Sequence, residues 1–375
     1  MAKTAPTGWD IWGKDPWTAT EGGAYFATFG PHMPDFNFRN PKVLAYHEDS
    51  LRFWLNRGLD GVRLDAVPHL IENSAKNWND QPQSRALTRR LQRLITHYPR
   101  RYVVCEATAK PEIYGSKKVC GSAFAFGHQN NIVAAAKAPD AAATDADLAK
   151  RRAAIQSVAH YFEKAPPNMA TMVSNHDAFA GLRLWDQVGG DLAAYRLAAA
   201  TYLLQPGTPF IYYGEEVGMA GTPGLQGDSP LRGPMSWTAD AAGFTSGTPF
   251  RAVSANVATH NAAAQVGDAA SIHSFYKSML SLRNTLPSIV RGSYARAFVQ
   301  GEVIGFQRRL GQEKTWVLIN YGTQAASVSV AKAGALSHWL AQYPRASEAL
   351  LADAKGGLKV LLPAQSVQVY LLQYK

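Results

Sequence analysis

The chain has 375 residues, of which 46% are hydrophobic and 18% charged, and its mean hydropathy is −0.19. This composition fits a globular chain of two or three domains and excludes a mainly disordered one. No run of about 18 uncharged apolar residues is present to form a membrane-spanning helix. Lys and Arg outnumber Asp and Glu, 38 to 28, for a net charge of +10. The basic residues are scattered, and the densest group (Arg85, Arg89, Arg90, Arg93, Arg100 and Arg101) reads as the solvated face of one helix. No nucleic-acid partner is expected from charge of that kind.

Residues 1–40 are rich in Trp, Gly, Pro and Phe and show no helical period. Their aromatics (Trp9, Trp12, Trp17, Tyr25, Phe26 and Phe29) suit a small satellite core or, less favoured, a stacking platform for sugar or base rings. Asn40 and Pro41 then open a helix as N-cap and first residue. Val43, Leu44, Leu51, Trp54 and Leu55 fall on one face of it, and Gly58 ends it. Leu59 to Asp65 is a short strand ending in charge. A helix over about 84–98 leads to Arg101–Glu106, an apolar run ending in an acid. Phe124 to Phe126 is a weaker strand candidate. A helix near 145–164 precedes a strand at Met169–Val173, which ends in Ser174-Asn175-His176-Asp177. A helix over 190–204 leads to Pro209–Tyr213, ending at Gly214-Glu215-Glu216. After a loop-like stretch over 239–270 and a helix at about 270–286, residues 290–375 read as short strands and turns. Helix alternating with short buried strand predicts a parallel β/α architecture, followed by an antiparallel β-sandwich.

The two cysteines, Cys105 and Cys120, suggest neither a disulfide framework nor a metal site. No signal-peptide core follows Met1, so a cytoplasmic chain is expected as written. A secreted or periplasmic location stays open if an N-terminal part is missing.

Acids stand at three strand ends: Asp65, Glu106 and Asp177. Strands of one parallel sheet would bring them to one cleft, at the end where such folds place their active sites. Arg63 and Asp65 leave the same face of their strand, so the guanidinium can hold the carboxylate ionised. His176 adds a neutral donor beside Asp177. Each acid alone is more readily a salt bridge or a helix cap. Together with Arg63 and Asn175-His176 they form a set that suits glycoside hydrolysis, which needs one protonated and one ionised carboxyl.

These residues resemble the motifs of the α-amylase superfamily (glycoside hydrolase family 13). Gly61-Val62-Arg63-Leu64-Asp65-Ala66-Val67-Pro68-His69 looks like its nucleophile motif. Glu106 looks like its acid/base residue, and Ser174-Asn175-His176-Asp177 like its third-carboxylate motif. Met33-Pro34-Asp35-Phe36-Asn37 resembles the loop signature found between the oligo-1,6-glucosidase and neopullulanase groups. Gly207 to Glu216 and Arg232-Gly233-Pro234-Met235-Ser236-Trp237 resemble the eighth strand and the motif after it.

The resemblance implies a retaining α-glucan hydrolase that cleaves α-1,4 bonds of starch or maltooligosaccharides by double displacement, with some transfer to acceptor sugars. It implies Asp65 as nucleophile, Glu106 as acid/base and Asp177 as transition-state stabiliser. Arg63, His176, His69 and Asn175 would bind substrate or orient the acids. No metal ligand is assigned, no cofactor is certain, and structural calcium stays open. Only 32 residues precede Met33, where the family has three barrel strands. The expected fold is therefore an incomplete (β/α)8 barrel lacking its first three strands. Residues 1–40 would be the remnant of the loop domain after strand 3, 41–289 the partial barrel and 290–375 the β-sandwich. Self-association covering the open barrel is expected, with no membrane partner. The alternative is a non-catalytic carbohydrate- or partner-binding relic or fragment.

Overall fold

The computed structural model describes residues 2–240 and 243–373. The chain divides into two compact units, residues 1–124 and 125–375. The expected boundaries at 40 and 290 mark changes in the type of element, while the compact units meet between 124 and 125.

The first unit opens with an antiparallel hairpin, β1 (Trp17–Thr20) and β2 (Gly23–Phe26). Trp17 of β1 and Phe26 of β2 pack edge to face with each other and with Trp9, and all three rings are partly buried. Helix α1 (Pro41–Asn56) starts where the sequence places it, with the Asn40 side chain accepting the Lys42 N–H. Its expected apolar face is only partly realised. Leu55 is buried, but Trp54 is exposed together with Tyr46 and Phe53. Strand β3 (Gly61–Leu64) pairs in parallel with β4 (Tyr102–Cys105), and α2 (Pro82–His97) lies between them in sequence. Leu87, Leu91 and Ile95 of α2 are buried at helical spacing. Gly61 is required by the close approach of β4, because a Cβ there would stand 2.1 Å from the Tyr102 carbonyl oxygen. The unit ends with the short helix α3 (Pro111–Gly115).

Cys105 and Cys120 are joined in a disulfide, contrary to the sequence expectation. The cause is tertiary. The segment at 122–124 runs back beside the end of β4 and brings the two Cα atoms within 6.3 Å, which a separation of 15 residues does not reveal.

The second unit begins with α4 (His128–Ala136), which the sequence pattern does not announce, and α5 (Asp145–Lys164), capped by a Thr144–Asp147 box. Strand β5 (Ala170–Thr171), α6 (Leu184–Gln187), α7 (Leu192–Leu204) and β6 (Thr208–Pro209) follow. The β5–β6 pair is parallel and shorter than its apolar runs suggest. Helices α8 (Ala262–Gln265), α9 (Ile272–Thr285) and α10 (Pro287–Arg291) lead to the antiparallel part.

There, β7 (Ser293–Gln300), β8 (Val303–Leu310), β9 (Glu313–Asn320), β10 (Ala326–Val330), β11 (His338–Tyr343), β12 (Arg345–Leu351), β13 (Leu358–Leu362) and β14 (Ser366–Gln373) form two sheets. A six-stranded sheet has the order β12-β11-β14-β9-β8-β7, and β10 pairs with β13. Alternation along each strand serves two cores. Trp316 and Leu318 pack with Val328, Val330, Val360 and Trp339 between the sheets. Val317, Ile319, Val367 and Val369 face the helices, where they share one core with residues of α5, α7 and α9.

Candidate active site

In the first unit, the parallel register of β3 and β4 sets Leu64 opposite Cys105. Asp65 and Glu106 therefore leave adjacent strand ends together. The Glu106 N–H donates to the Leu64 carbonyl at 2.9 Å, and the Val67 N–H donates to the Glu106 carbonyl at 3.1 Å. Ala66 adopts a left-handed conformation, φ 44°, and its N–H donates to Glu106 Oε2 at 3.0 Å. Arg63 spans both acids. Its Nη1 lies 2.5 Å from Asp65 Oδ1 and its Nη2 lies 3.0 Å from Glu106 Oε2. The Asp65 side chain is open to solvent, whereas that of Glu106 is buried.

Burial penalises the Glu106 carboxylate, and the hydrogen-bonded neighbour Asp65 adds to the effect. The Ala66 N–H and Arg63 offset only part of it, and the carboxyl is pushed up to about 7. One acid of the pair is thus biased toward its protonated form beside an exposed, arginine-paired one. His69 lies on the turn after Asp65, stacked on Trp78 and edge-on to Trp12 and Phe29. Burial lowers its imidazole to about 4, so the ring is neutral.

In the second unit, Asn175 Oδ1 accepts the Asp177 N–H at 2.8 Å, which shapes the turn after β5. His176 Nε2 lies 3.1 Å from Asp177 Oδ2. Arg232 donates to Asp177 Oδ1 at 2.8 Å, to Asp228 Oδ2 at 3.0 Å and to the His176 carbonyl at 2.9 Å. In the sequence, Arg232 stands out only by its place in Arg-Gly-Pro-Met-Ser-Trp. Glu215 is another acid the sequence reading gave no role. It is buried, accepts from Ser174 Oγ at 2.5 Å and Tyr202 Oη at 3.0 Å, and is pushed up to about 8 by burial. It underpins the turn that carries Asp177. Among the described residues, no group of three or more His, Cys, Asp or Glu side chains could hold a metal ion.

The alpha-amylase catalytic-domain model matches residues 1–292. The chain belongs to the alpha-amylase family. It is 28% identical over 320 residues to trehalose synthase/amylase TreS of Mycobacterium tuberculosis, covering 72% of this chain and 51% of that protein. It is 28% identical over 326 residues to alpha-amylase 3 of Dictyoglomus thermophilum, covering 83% and 58%. The chain thus spans about half the length of the curated relatives it matches. The trehalulose synthase MutB of Pseudomonas mesoacidophila has a similar fold, with TM-score 0.76 at 21% identity over 99% of this chain and 76% of that one. The alpha-amylase of H. orenii is likewise similar, with TM-score 0.70 at 24% identity over 96% and 70%. The architecture is accordingly the alpha-amylase family fold, a β/α barrel type with a C-terminal antiparallel sheet domain. No described helix is long and apolar enough to cross a membrane.

Proposed function

We propose that this alpha-amylase family chain is a retaining enzyme that acts on α-1,4-linked glucosides. Asp65 is the nucleophile that forms a glycosyl–enzyme ester. Glu106 protonates the departing oxygen and then deprotonates water or an acceptor hydroxyl. Asp177 stabilises the cationic sugar ring of the transition state. Arg63 keeps Asp65 ionised and aimed, while His176 and Arg232 hold Asp177. In this reading β3, β4, β5 and β6 correspond to the fourth, fifth, seventh and eighth barrel strands. Motif order supports that correspondence.

The observation that carries the proposal is the Arg63 bridge. One guanidinium joins an exposed carboxylate to a buried carboxyl held near 7. Retaining chemistry needs that division of labour, an ionised attacker beside a protonated donor.

The same intermediate can be captured by water or by a sugar. Several curated relatives are named trehalose synthase, among them that of Pimelobacter and the trehalose synthase/amylase of Mycobacterium tuberculosis. This supports a second reading, in which the released sugar re-attacks and the linkage is rearranged. The exposed aromatic face of α1 supports self-association, which light scattering reads directly.

The test is product analysis with maltoheptaose, maltose and sucrose, using the parent chain and Asp65→Asn. Glucose and shorter maltooligosaccharides from the parent alone support hydrolysis. A rearranged disaccharide without net release supports transfer. No product from either protein leaves the non-catalytic alternative, and retained sugar binding by Asp65→Asn would then favour a binding role.

A further inference from the structure

We propose that the Cys105–Cys120 disulfide is a positioning device for Glu106, so that the chain reaches full activity only where that bond is formed. The inference rests on the reading of Glu106 as the acid/base residue.

Three observations carry it. First, Cys105 is the last residue of β4 and Glu106 is the next, so whatever fixes the end of β4 fixes the acid. Second, β4 is held differently on its two sides. Toward β3 it has a four-residue parallel ladder. On the other side, among the described residues, two backbone hydrogen bonds tie it to the segment 122–124, from the Cys105 N–H to the Ser122 carbonyl at 3.0 Å and from the Phe124 N–H to the Cys105 carbonyl at 3.1 Å. A Tyr102 Oη–Ser122 Oγ contact at 2.9 Å adds one side-chain bond. Third, both cysteines are fully buried, so the bridge lies inside the unit directly behind the acid and is not a surface staple. The intervening loop carries α3, and its Lys110 reaches Asp80 at 3.2 Å.

Loosening the 122–124 flank would let water reach Glu106. The burial that raises its carboxyl would fade, and the protonated donor would be lost near neutral pH. Breaking the bridge takes two electrons and two protons from an external dithiol, which becomes the disulfide while Cys105 and Cys120 become thiols. Such a bond persists in oxidising compartments and is rare in the reducing cytosol, so the proposal carries a prediction of where the chain works.

The experiment compares the disulfide form with the dithiol form, produced and kept under a dithiol reductant. Cys105→Ala/Cys120→Ala serves as a second bridge-free protein in case the dithiol form does not fold. Alkylation in denaturant without reductant comes first. No labelled thiols in the parent is the expected result, and two labelled thiols overturn the proposal. The Glu106 carboxyl is then titrated by 13C NMR with Glu106→Gln as assignment control. The expected result is a midpoint near 7 in the disulfide form and at least one pH unit lower without the bridge. Where sugar release is measurable, kcat should fall at least 10-fold with KM within about 2-fold. A lower melting temperature with an unchanged midpoint and unchanged kcat would make the bond merely structural and overturn the proposal. Full sugar release by Glu106→Gln would instead refute the acid/base assignment, an outcome separate from the carboxyl titration.

Discussion

Glu106→Gln tests the electrostatics of the candidate site without relying on turnover. The variant keeps the shape of the side chain and removes its titration. In the fold, the carboxyl is raised from 4.5 to about 7. A raised carboxyl pKa means that the folded chain holds the proton to higher pH than the unfolded chain. The associated stability is fully present below about 4.5 and is lost as pH rises through 7. At about 1.4 kcal/mol per pH unit the whole span corresponds to about 3 kcal/mol, of which roughly 2–3 kcal/mol falls between pH 5 and pH 8. Urea unfolding of parent and variant across that range should show the parent losing this amount relative to Glu106→Gln. Glu72 and Glu215 are also raised, each to about 8, but they are common to both proteins and cancel in the difference. Parallel pH curves would refute the claim that burial holds Glu106 protonated.

Further outcomes follow from single contacts. Arg63→Lys offers one ammonium where a planar fork spans two carboxyls, so kcat should drop about 10- to 100-fold with the fold retained. Because Arg63 lowers the Glu106 carboxyl, Arg63→Ala should move the alkaline limb of any pH–rate profile to higher pH, and a shift the other way would contradict the bridge. Glu215→Gln should cost less than about 1 kcal/mol at pH 7, since a raised carboxyl is already neutral there. Glu215→Ala strands Ser174 and Tyr202 and should cost about 2–3 kcal/mol by thermal unfolding. Gly61→Ala drives a methyl into the Tyr102 carbonyl and should cost about 3 kcal/mol or more, read as loss of soluble folded protein.

Much of the site was legible because its chemistry lies in local sequence. Arg63 and Asp65 alternate on one strand, and Asn175-His176-Asp177 sits on one turn, so type and spacing suffice. The helix start at Asn40-Pro41 was legible for the same reason. What escaped depends on contacts distant along the chain. Arg232 meets Asp177 from 55 residues away. Cys120 meets Cys105 only because 122–124 doubles back. Glu215 becomes a buried hydrogen-bonded acid through Ser174, 41 residues earlier. Trp54 has the apolar character of a core residue and the spacing of one, yet no element of its unit covers it. The parallel strands β5 and β6 are also shorter than their apolar runs, with pairing confined to Ala170–Thr171 and Thr208–Pro209.

The arginines between the helices and the C-terminal sheet have a further consequence. Arg308, from β8, donates to the Leu204 carbonyl at the end of α7 and to the Gly292 carbonyl. Arg283 donates to the Leu203 and Gln205 carbonyls and to that of Gly207. Arg151, from α5, donates to the Tyr321 carbonyl and pairs with Glu302. The sheet thereby supplies part of the C-terminal cap of the helix that feeds β6. Deleting it would leave buried carbonyls unanswered as well as bare an apolar face. Residues 125–373 should therefore melt as one cooperative block. A duplicated or shuffled gene could not exchange the C-terminal sheet as a module without also replacing the residues that answer those carbonyls.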